Sequence, residues 1–196
     1  NARILSGTDT LSGEDLFPVP ESVMQAVRGR RIGMIFQEPS TSLNPVMTVG
    51  DQIGEVLSRH LGLKGKEKTE EEIAWLRRVG IPEPEKRVNA FLFQLSGGQK
   101  QRCMIAMALA GDPDLVIADE PTTALDVTLQ KQILDLLLRL QAERSLSLLL
   151  ITHDLAVVRK MAHYVALMYA GEIVEQAPAD EFFSHPAHPY AKQLLA

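Results

Sequence analysis

Arg31-Ile32-Gly33-Met34-Ile35-Phe36, Leu115-Val116-Ile117-Ala118 and Leu146 to Thr152 are short β-prone runs with little alternation of apolar and polar positions. Such runs predict strands buried on both faces, the habit of parallel sheets covered by helices. From Val127 to Glu143 the period changes: Leu129, Ile133, Leu136, Leu137 and Leu140 recur at helical spacing, with Asp126 available as an N-cap. Strand, helix and strand in that order predict a right-handed βαβ unit. After His153 a helix through Met161 is expected, then a strand over Tyr164 to Met168 that Ala170-Gly171 turns back into Glu172 to Gln176. The expected architecture is α/β, with a mostly parallel sheet, flanking helices and a hairpin at one end.

Between Pro39 and Gly111 the pattern is polar and helical, with a charge run from Lys64 to Glu72 and an amphipathic segment around Ile73, Leu76 and Val79. It reads as a helical subdomain inserted between two strands, and the charge run as a solvated helix face. The division expected is residues 1–38 and 112–181 for the α/β core, 39–111 for the helical subdomain and 182–196 for the start of a C-terminal extension.

Composition narrows the class. The chain has 196 residues, 45% hydrophobic and 23% charged, ordinary values for a globular domain with a sizeable core. No apolar run approaches the roughly 20 residues that span a bilayer. A formal net charge of -5 argues against a surface that coats nucleic acid, because such binding runs on clustered Lys and Arg. The single cysteine, Cys103, excludes an internal disulfide and a Cys-rich zinc site. No basic segment followed by an apolar core opens the chain, so no signal peptide is read, and the absent initiator Met gives the expectation that residue 1 is not the natural start.

Leu115-Val116-Ile117-Ala118-Asp119-Glu120 is an apolar strand delivering adjacent carboxylates at its C-terminal tip, where open α/β sheets place their ligands. Successive strand side chains point opposite ways, so the two acids can do different jobs, and one of them could polarise an attacking water. Taken alone, the same residues fit exposed acids starting a turn before Pro121. Leu95-Ser96-Gly97-Gly98-Gln99-Lys100-Gln101-Arg102 is more specific, opening a helix that carries Met104, Ile105, Ala106, Ala108 and Leu109. Bare backbone N–H groups and a hydroxyl at a positive helix end suit a phosphate. An ordinary Ser cap with a Gly-softened turn is the competing reading, and the carboxylate strand a short distance downstream weighs against it.

Gln37 in Phe36-Gln37-Glu38-Pro39, Leu-Ser-Gly-Gly-Gln at 95 to 99, Asp119-Glu120, Ala124-Leu125-Asp126 and Thr152-His153-Asp154 resemble the Q-loop, signature, Walker B, D-loop and H-loop of ABC ATPases, in the family's order and with family-like spacing. The resemblance covers essentially the whole chain. It implies a RecA-like P-loop NTPase fold with ATP and Mg²⁺ as ligands. Residue by residue it implies that Gln37 contacts magnesium and the attacking water and senses membrane subunits, that Asp119 holds the metal shell, that Glu120 is the general base and that His153 hydrogen-bonds the γ-phosphate. Ser96, Gly97, Gly98 and Gln99 would grip the γ-phosphate of an ATP held by an opposite subunit, and Asp126 would communicate across the dimer. His60, His163, His185 and His188 keep a structural reading, since a metal site at His185 and His188 lacks further ligands.

The departures are informative. No Gly-x-x-x-x-Gly-Lys-[Ser/Thr] loop, whose amides and lysine cradle phosphates, occurs in the sequence, nor does the upstream aromatic that stacks on adenine. Asn1-Ala2-Arg3-Ile4 resembles the segment after the P-loop helix, so N-terminal truncation is expected, and the 196-residue chain by itself is expected to be inactive. Leu92-Phe93 stands where relatives often carry Pro-His. Thr41-Ser42-Leu43-Asn44-Pro45, Ala118 to Asp126 and His185-Pro186-Ala187-His188-Pro189-Tyr190 are most similar to dipeptide, oligopeptide and nickel importer ATPases.

The function this implies is ATP hydrolysis driving peptide or nickel import. The partners implied are a head-to-tail homo- or heterodimer of ATPase subunits, integral membrane permease subunits and, indirectly, an extracytoplasmic solute-binding protein, without nucleic acid. The location implied is the cytoplasmic face of the bacterial cell membrane. Competing classes are a soluble ABC ATPase acting on DNA or ribosomes, which calls for a coiled-coil insertion, zinc cysteines or a basic face, and a non-catalytic fragment. Leu43, Val46, Met47, Val49 and Ile53 just beyond Gln37 are candidates either for the groove that docks a permease helix or for the core of the subdomain.

Overall fold

The structure, a computed structural model, describes residues 7–123 and 125–196. The Asn1-Ala2-Arg3-Ile4 segment and Ala124 of the D-loop resemblance lie outside these residues. A short hairpin, β1 (Thr10–Leu11) and β2 (Glu14–Asp15), leads to α1 (Glu21–Val27) and β3 (Ile32–Ile35). The chain is then helical up to the next strand: α2 (Pro39–Ser42), α3 (Val49–Leu61), α4 (Gly65–Arg78), α5 (Pro84–Arg87), a 3₁₀ turn at Leu92–Gln94 and α6 (Gly97–Ala110). After it come β4 (Leu115–Asp119), α7 (Val127–Arg144) and β5 (Ser147–Ile151). The chain divides into two units within β5, Asn1–Leu149 and Leu150–Ala196.

In the first unit β3 and β4 pair in parallel, Ile32 with Leu115 through Ile35 with Ala118, and the sheet order is β3-β4-β5. A parallel pair needs a crossover, and the helices from α2 to α6 supply it. α6 packs on β3 at Gly33, where any Cβ would stand 2.3 Å from the carbonyl oxygen of Ala108. Only glycine lets helix and strand approach this closely. Burial on both faces, expected from the sequence, is not found throughout: Ile35, Val116 and Ala118 are buried, whereas Met34 is 39% and Leu149 51% exposed. The reason is one-sided cover. α6 lies on the Gly33 side, Met34 points the other way along the pleat, and no described element buries it.

The helical stretch has its own core. Thr48 caps α3 by accepting the Asp51 amide at 3.1 Å, and Gly62 ends it in the left-handed conformation at φ 71°. Ile53 and Leu57 of α3 and Trp75 and Leu76 of α4 are fully buried. The guanidinium groups of Arg78 and Arg144 each lie over the Trp75 ring, 4.9 and 4.5 Å from its centroid. The carbonyls of Arg78 and Val79, at the C-terminal end of α4, accept hydrogen bonds of 2.6 Å from Arg139 of α7 and Arg102 of α6. Arginines thus satisfy carbonyls a helix end leaves open and favour its negative pole.

In the second unit, α8 (Leu155–Met161) precedes an antiparallel pair, β6 (Tyr164–Tyr169) and β7 (Glu172–Pro178), then α9 (Ala179–Ser184) and α10 (Pro189–Leu195). The hairpin turns at Ala170 and Gly171, both at positive φ, as a tight turn matching strand twist requires. Phe182, Val165, Ala177, Ala179 and Ala191 form its core.

Candidate functional site

Two edges of the first unit carry the residues singled out in the sequence. One is the N-terminus of α6. Ser96 caps this helix reciprocally with Gln99: the Gln99 amide donates to Ser96 Oγ at 3.3 Å, and the Ser96 amide donates to Gln99 Oε1 at 2.9 Å. The box fixes the entry of the chain and leaves the Gly97 and Gly98 N–H groups at the positive pole of a 14-residue helix. The glycines differ in their reasons. A Cβ on Gly98 would stand 3.2 Å from the Leu129 side chain of α7, so packing asks for glycine there. A Cβ on Gly97 would meet nothing within 4 Å, and its φ is not positive. Nothing inside the chain requires a bare backbone at Gly97; a group approaching from outside would.

The other edge is the carboxyl end of the sheet. β4 ends at Asp119, half-buried, and Glu120 turns the chain at φ 47°. A left-handed glutamate costs about 1–2 kcal/mol, and a residue before proline ordinarily stays extended. Only Asp119 therefore lies on the strand; Glu120 sits on this strained turn and not on the pleat as the sequence suggested. The Thr123 hydroxyl donates to Glu120 Oε2 at 2.6 Å, and the Thr123 amide to the Glu120 carbonyl at 3.2 Å, so the carboxylate is held within its own turn. Because Ile35 pairs with Ala118, Gln37 and Glu120 each stand two positions beyond the last pair of adjacent parallel strands. Gln37 is exposed there.

A buried contact joins the edges. Gln101, 1% exposed, donates from Nε2 to the Pro121 carbonyl at 2.7 Å. Sequence reasoning assigned no role to Gln101 or Thr123; the signal for the first was a polar residue just ahead of the apolar run Cys103-Met104-Ile105-Ala106 of the same helix. Asp126 caps α7, accepting the Leu129 amide at 2.9 Å, and Gln130 Nε2 reaches back to the Thr122 carbonyl at 3.3 Å. His153 belongs to the second unit, exposed on the turn before α8, whose cap Asp154 accepts the Ala156 and Val157 amides at 2.8 and 3.2 Å.

Among the described residues no group of three or more His, Cys, Asp or Glu could hold a metal ion. Mg²⁺ asks for no such group, because it takes one or two carboxylates and completes its shell with water and phosphate oxygens. Asp119 at the strand end offers such a carboxylate.

Residues 2–123 match the sequence profile described as ABC transporter. The chain is 55% identical over 190 residues to the oligopeptide transport ATP-binding protein OppD of Bacillus subtilis, covering 97% of this chain and 53% of that protein. It is 49% identical over 195 residues to OppD of Lactococcus lactis subsp. cremoris, covering 100% of this chain and 58% of that protein. It is 52% identical over 191 residues to the peptidoglycan transport ATP-binding protein YejF of Agrobacterium fabrum, covering 97% of this chain and 35% of that protein. The chain thus spans about half the length, or less, of these curated relatives. Among solved structures it is similar to the dimeric post-hydrolysis state of the ATP-binding cassette MJ0796 bound to ADP and Pi, with a TM-score of 0.75 and 27% identity over 86% of this chain and 72% of that one.

Proposed function

The chain belongs to the ABC transporter family, and on that footing we propose that the full-length protein is the ATP-hydrolysing subunit of an importer for peptides. The observation that carries the reading is the capped, glycine-bearing start of α6 joined through Gln101 and Pro121 to the strand end bearing Asp119 and Glu120. One edge suits a phosphate, the other a metal and an attacking water. The names of the oligopeptide transport relatives support peptides as the solute.

In this reading ATP is held between two ATPase subunits arranged head to tail, an arrangement supported by the dimeric, ADP-bound neighbour. Ser96, Gly97, Gly98 and Gln99 of one subunit close on the γ-phosphate held by the other, through the hydroxyl, the two open N–H groups and the Gln99 carboxamide. Asp119 would hold the shell of a bound Mg²⁺, which would neutralise negative charge developing on the phosphates. Glu120 accepts the proton of the attacking water, with Thr123 fixing one carboxylate oxygen. Gln37 aligns the water from the neighbouring strand, His153 donates to the γ-phosphate and Asp126 contacts the opposite subunit. Residues 39–111 form the helical subdomain that meets integral permease subunits, and an extracytoplasmic binding protein delivers the solute to them. This reading sets the chain on the cytoplasmic face as a peripheral subunit beside those permeases; no helix among the described residues is long and apolar enough to cross a membrane.

The test is ATP hydrolysis by the full-length protein, assembled with its membrane subunits in proteoliposomes and supplied with solute-loaded binding protein. Peptide is expected to stimulate hydrolysis and to accumulate inside. Stimulation by chelated nickel and not by peptide would replace the solute class, and absence of hydrolysis under every condition would overturn the ATPase reading.

A further inference from the structure

Phe93 is 79% exposed, three residues ahead of Ser96. It does not sit on a loose loop. The Phe91 amide donates to Gln94 Oε1 at 2.8 Å, the Gln94 and Leu95 amides close the 3₁₀ turn onto Phe91 and Leu92, and Phe91 bridges Thr48 at the start of α3. Leu92 and Leu95 are buried on the inner side of the turn, which drives Phe93 outward. The Phe91 ring stacks behind it, centroids 5.8 Å apart and planes 8° from parallel. A fixed pair of parallel aromatic rings, the outer one facing solvent, contributes little to the fold of its own chain. The same turn borders an open cleft of about 310 Å³ lined by Glu83, Lys86, Arg87, Asn89, Ala90 and Gln94, where carboxamides offer donors and acceptors together.

We propose that Phe93, backed by Phe91, is the surface on which this subunit meets the nucleoside end of the ATP whose γ-phosphate it grips through Ser96. This rests on the two-subunit reading given above. Three residues of chain reach at most about 10 Å, comparable to the extent of a triphosphate, so a base bound to the opposite subunit falls within range of the ring. Stacking on an aromatic face is a general mode of base recognition, and carboxamides complement base edges or ribose hydroxyls. A permease helix is the other occupant an exposed phenylalanine could have; continuity with the phosphate-facing start of α6 favours the nucleotide.

The test uses the full-length protein, with Phe93→Ala, Phe93→Tyr and Ser96→Arg. Photolysis of bound 8-azido-ATP in the ATP-driven dimer is expected to label a peptide containing residues 91–94, and the label is expected to vanish in Phe93→Ala and in Ser96→Arg. Phe93→Ala should raise the ATP concentration for half-maximal dimer formation roughly tenfold, the scale of one lost base stack, with Phe93→Tyr restoring it. Label absent from that peptide, or an unchanged ATP requirement in Phe93→Ala, overturns the proposal. So does a Phe93→Ala defect confined to co-purification with membrane subunits, which would assign the ring to the permease. If Ser96→Arg leaves dimer formation intact, the two-subunit reading itself falls, and this inference with it.

Discussion

The side-chain amide of Gln101 donates a 2.7 Å hydrogen bond to the carbonyl of Pro121 in the interior, tying the first turns of α6 to the turn that carries Glu120. One end of α6 faces outward at Gly97; the other side of the same helix holds the carboxylate turn in place. Through this bond a shift of the α6 start and a shift of the Glu120 turn are mechanically linked within one chain.

Gln101→Leu is therefore expected to lower stability by about 1–3 kcal/mol, because the Pro121 carbonyl is left buried without a partner. Urea unfolding followed by far-UV circular dichroism reads this directly. The same variant in the full-length protein should lose more turnover than an equally destabilised core variant such as Leu57→Ala, which touches neither edge. Equal losses in both would reduce the Gln101 bond to a matter of packing.

Much of this arrangement was legible in the sequence, and what escaped it did so for physical reasons. The parallel strands, α7 with its Asp126 cap and the Ser96 cap announced themselves because apolar periodicity and capping chemistry are local. The Gln101 bond spans 20 residues and connects a helix to a turn, so no local pattern reports it. The left-handed Glu120 was hidden because propensity argues against a glutamate at positive φ before proline; such strain is tolerated where a site requires it. The exposed faces of Met34 and Leu149 were missed for another reason: an uninterrupted apolar run does not say whether one or two layers cover it.

Glu120→Gln in the full-length protein should lower hydrolysis by roughly 10²–10⁴-fold while leaving ATP binding in place, since the amide keeps the shape and cannot take a proton. Thr123→Val should have a smaller effect of the same kind, because it releases the carboxylate that the hydroxyl now holds. Single-turnover hydrolysis and nucleotide binding, measured side by side, separate the steps. Near-normal turnover in Glu120→Gln would move the role of base to another residue, with His153 the first to examine.

Glu72 presents a different kind of buried acid. Its side chain lies between α4 and α3, where a Cβ on Gly54 would stand 2.0 Å from Oε1 and one on Gly50 3.3 Å from Oε2. Oε1 has no hydrogen-bond partner, although the Lys68 ammonium is 3.3 Å away. Burial raises the pKa of this carboxyl, Lys68 opposes the rise and Asp51 adds to it. A raised folded pKa means that the folded protein holds this proton more tightly than the unfolded chain. The acid's contribution is thus most favourable below the usual carboxylate pKa of 4.5 and is lost as pH climbs through the raised value. Glu72→Gln should flatten that decline in a pH series of urea melts. Gly54→Ala should cost about 1–3 kcal/mol by overpacking, and distinctly less in a Glu72→Ala background. Additive costs in that cycle would mean the carboxylate does not press on Gly54.

The segment beyond Gln37 offers the last prediction, on where the chain meets a membrane partner. Of the apolar candidates there, Leu43, Val49 and Ile53 are 3%, 2% and 0% exposed and belong to the core of the helical stretch. Val46 is 80% exposed, and Met47 is half-buried beside it. Their loop is not slack: the Val46 amide donates to Asn44 Oδ1 at 3.1 Å, and the buried Gln52 side chain takes the Asn44 amide at 2.8 Å and gives to the Asn44 carbonyl at 3.1 Å. A rigid loop presenting an isolated valine, on the path from Gln37 into α3, can carry a displacement at Gln37 to whatever Val46 touches. Cys103 leaves cysteine scanning undisturbed, because its thiol is buried and pushed up to about 12. Single cysteines over residues 40–52 of the full-length protein, in the assembled transporter, should crosslink to a permease subunit most strongly at Val46 and Met47 and not at Leu43, Val49 or Ile53. Crosslinks confined to α7, between Lys131 and Arg144, would place the permease on the other helix and detach the Val46 loop from coupling.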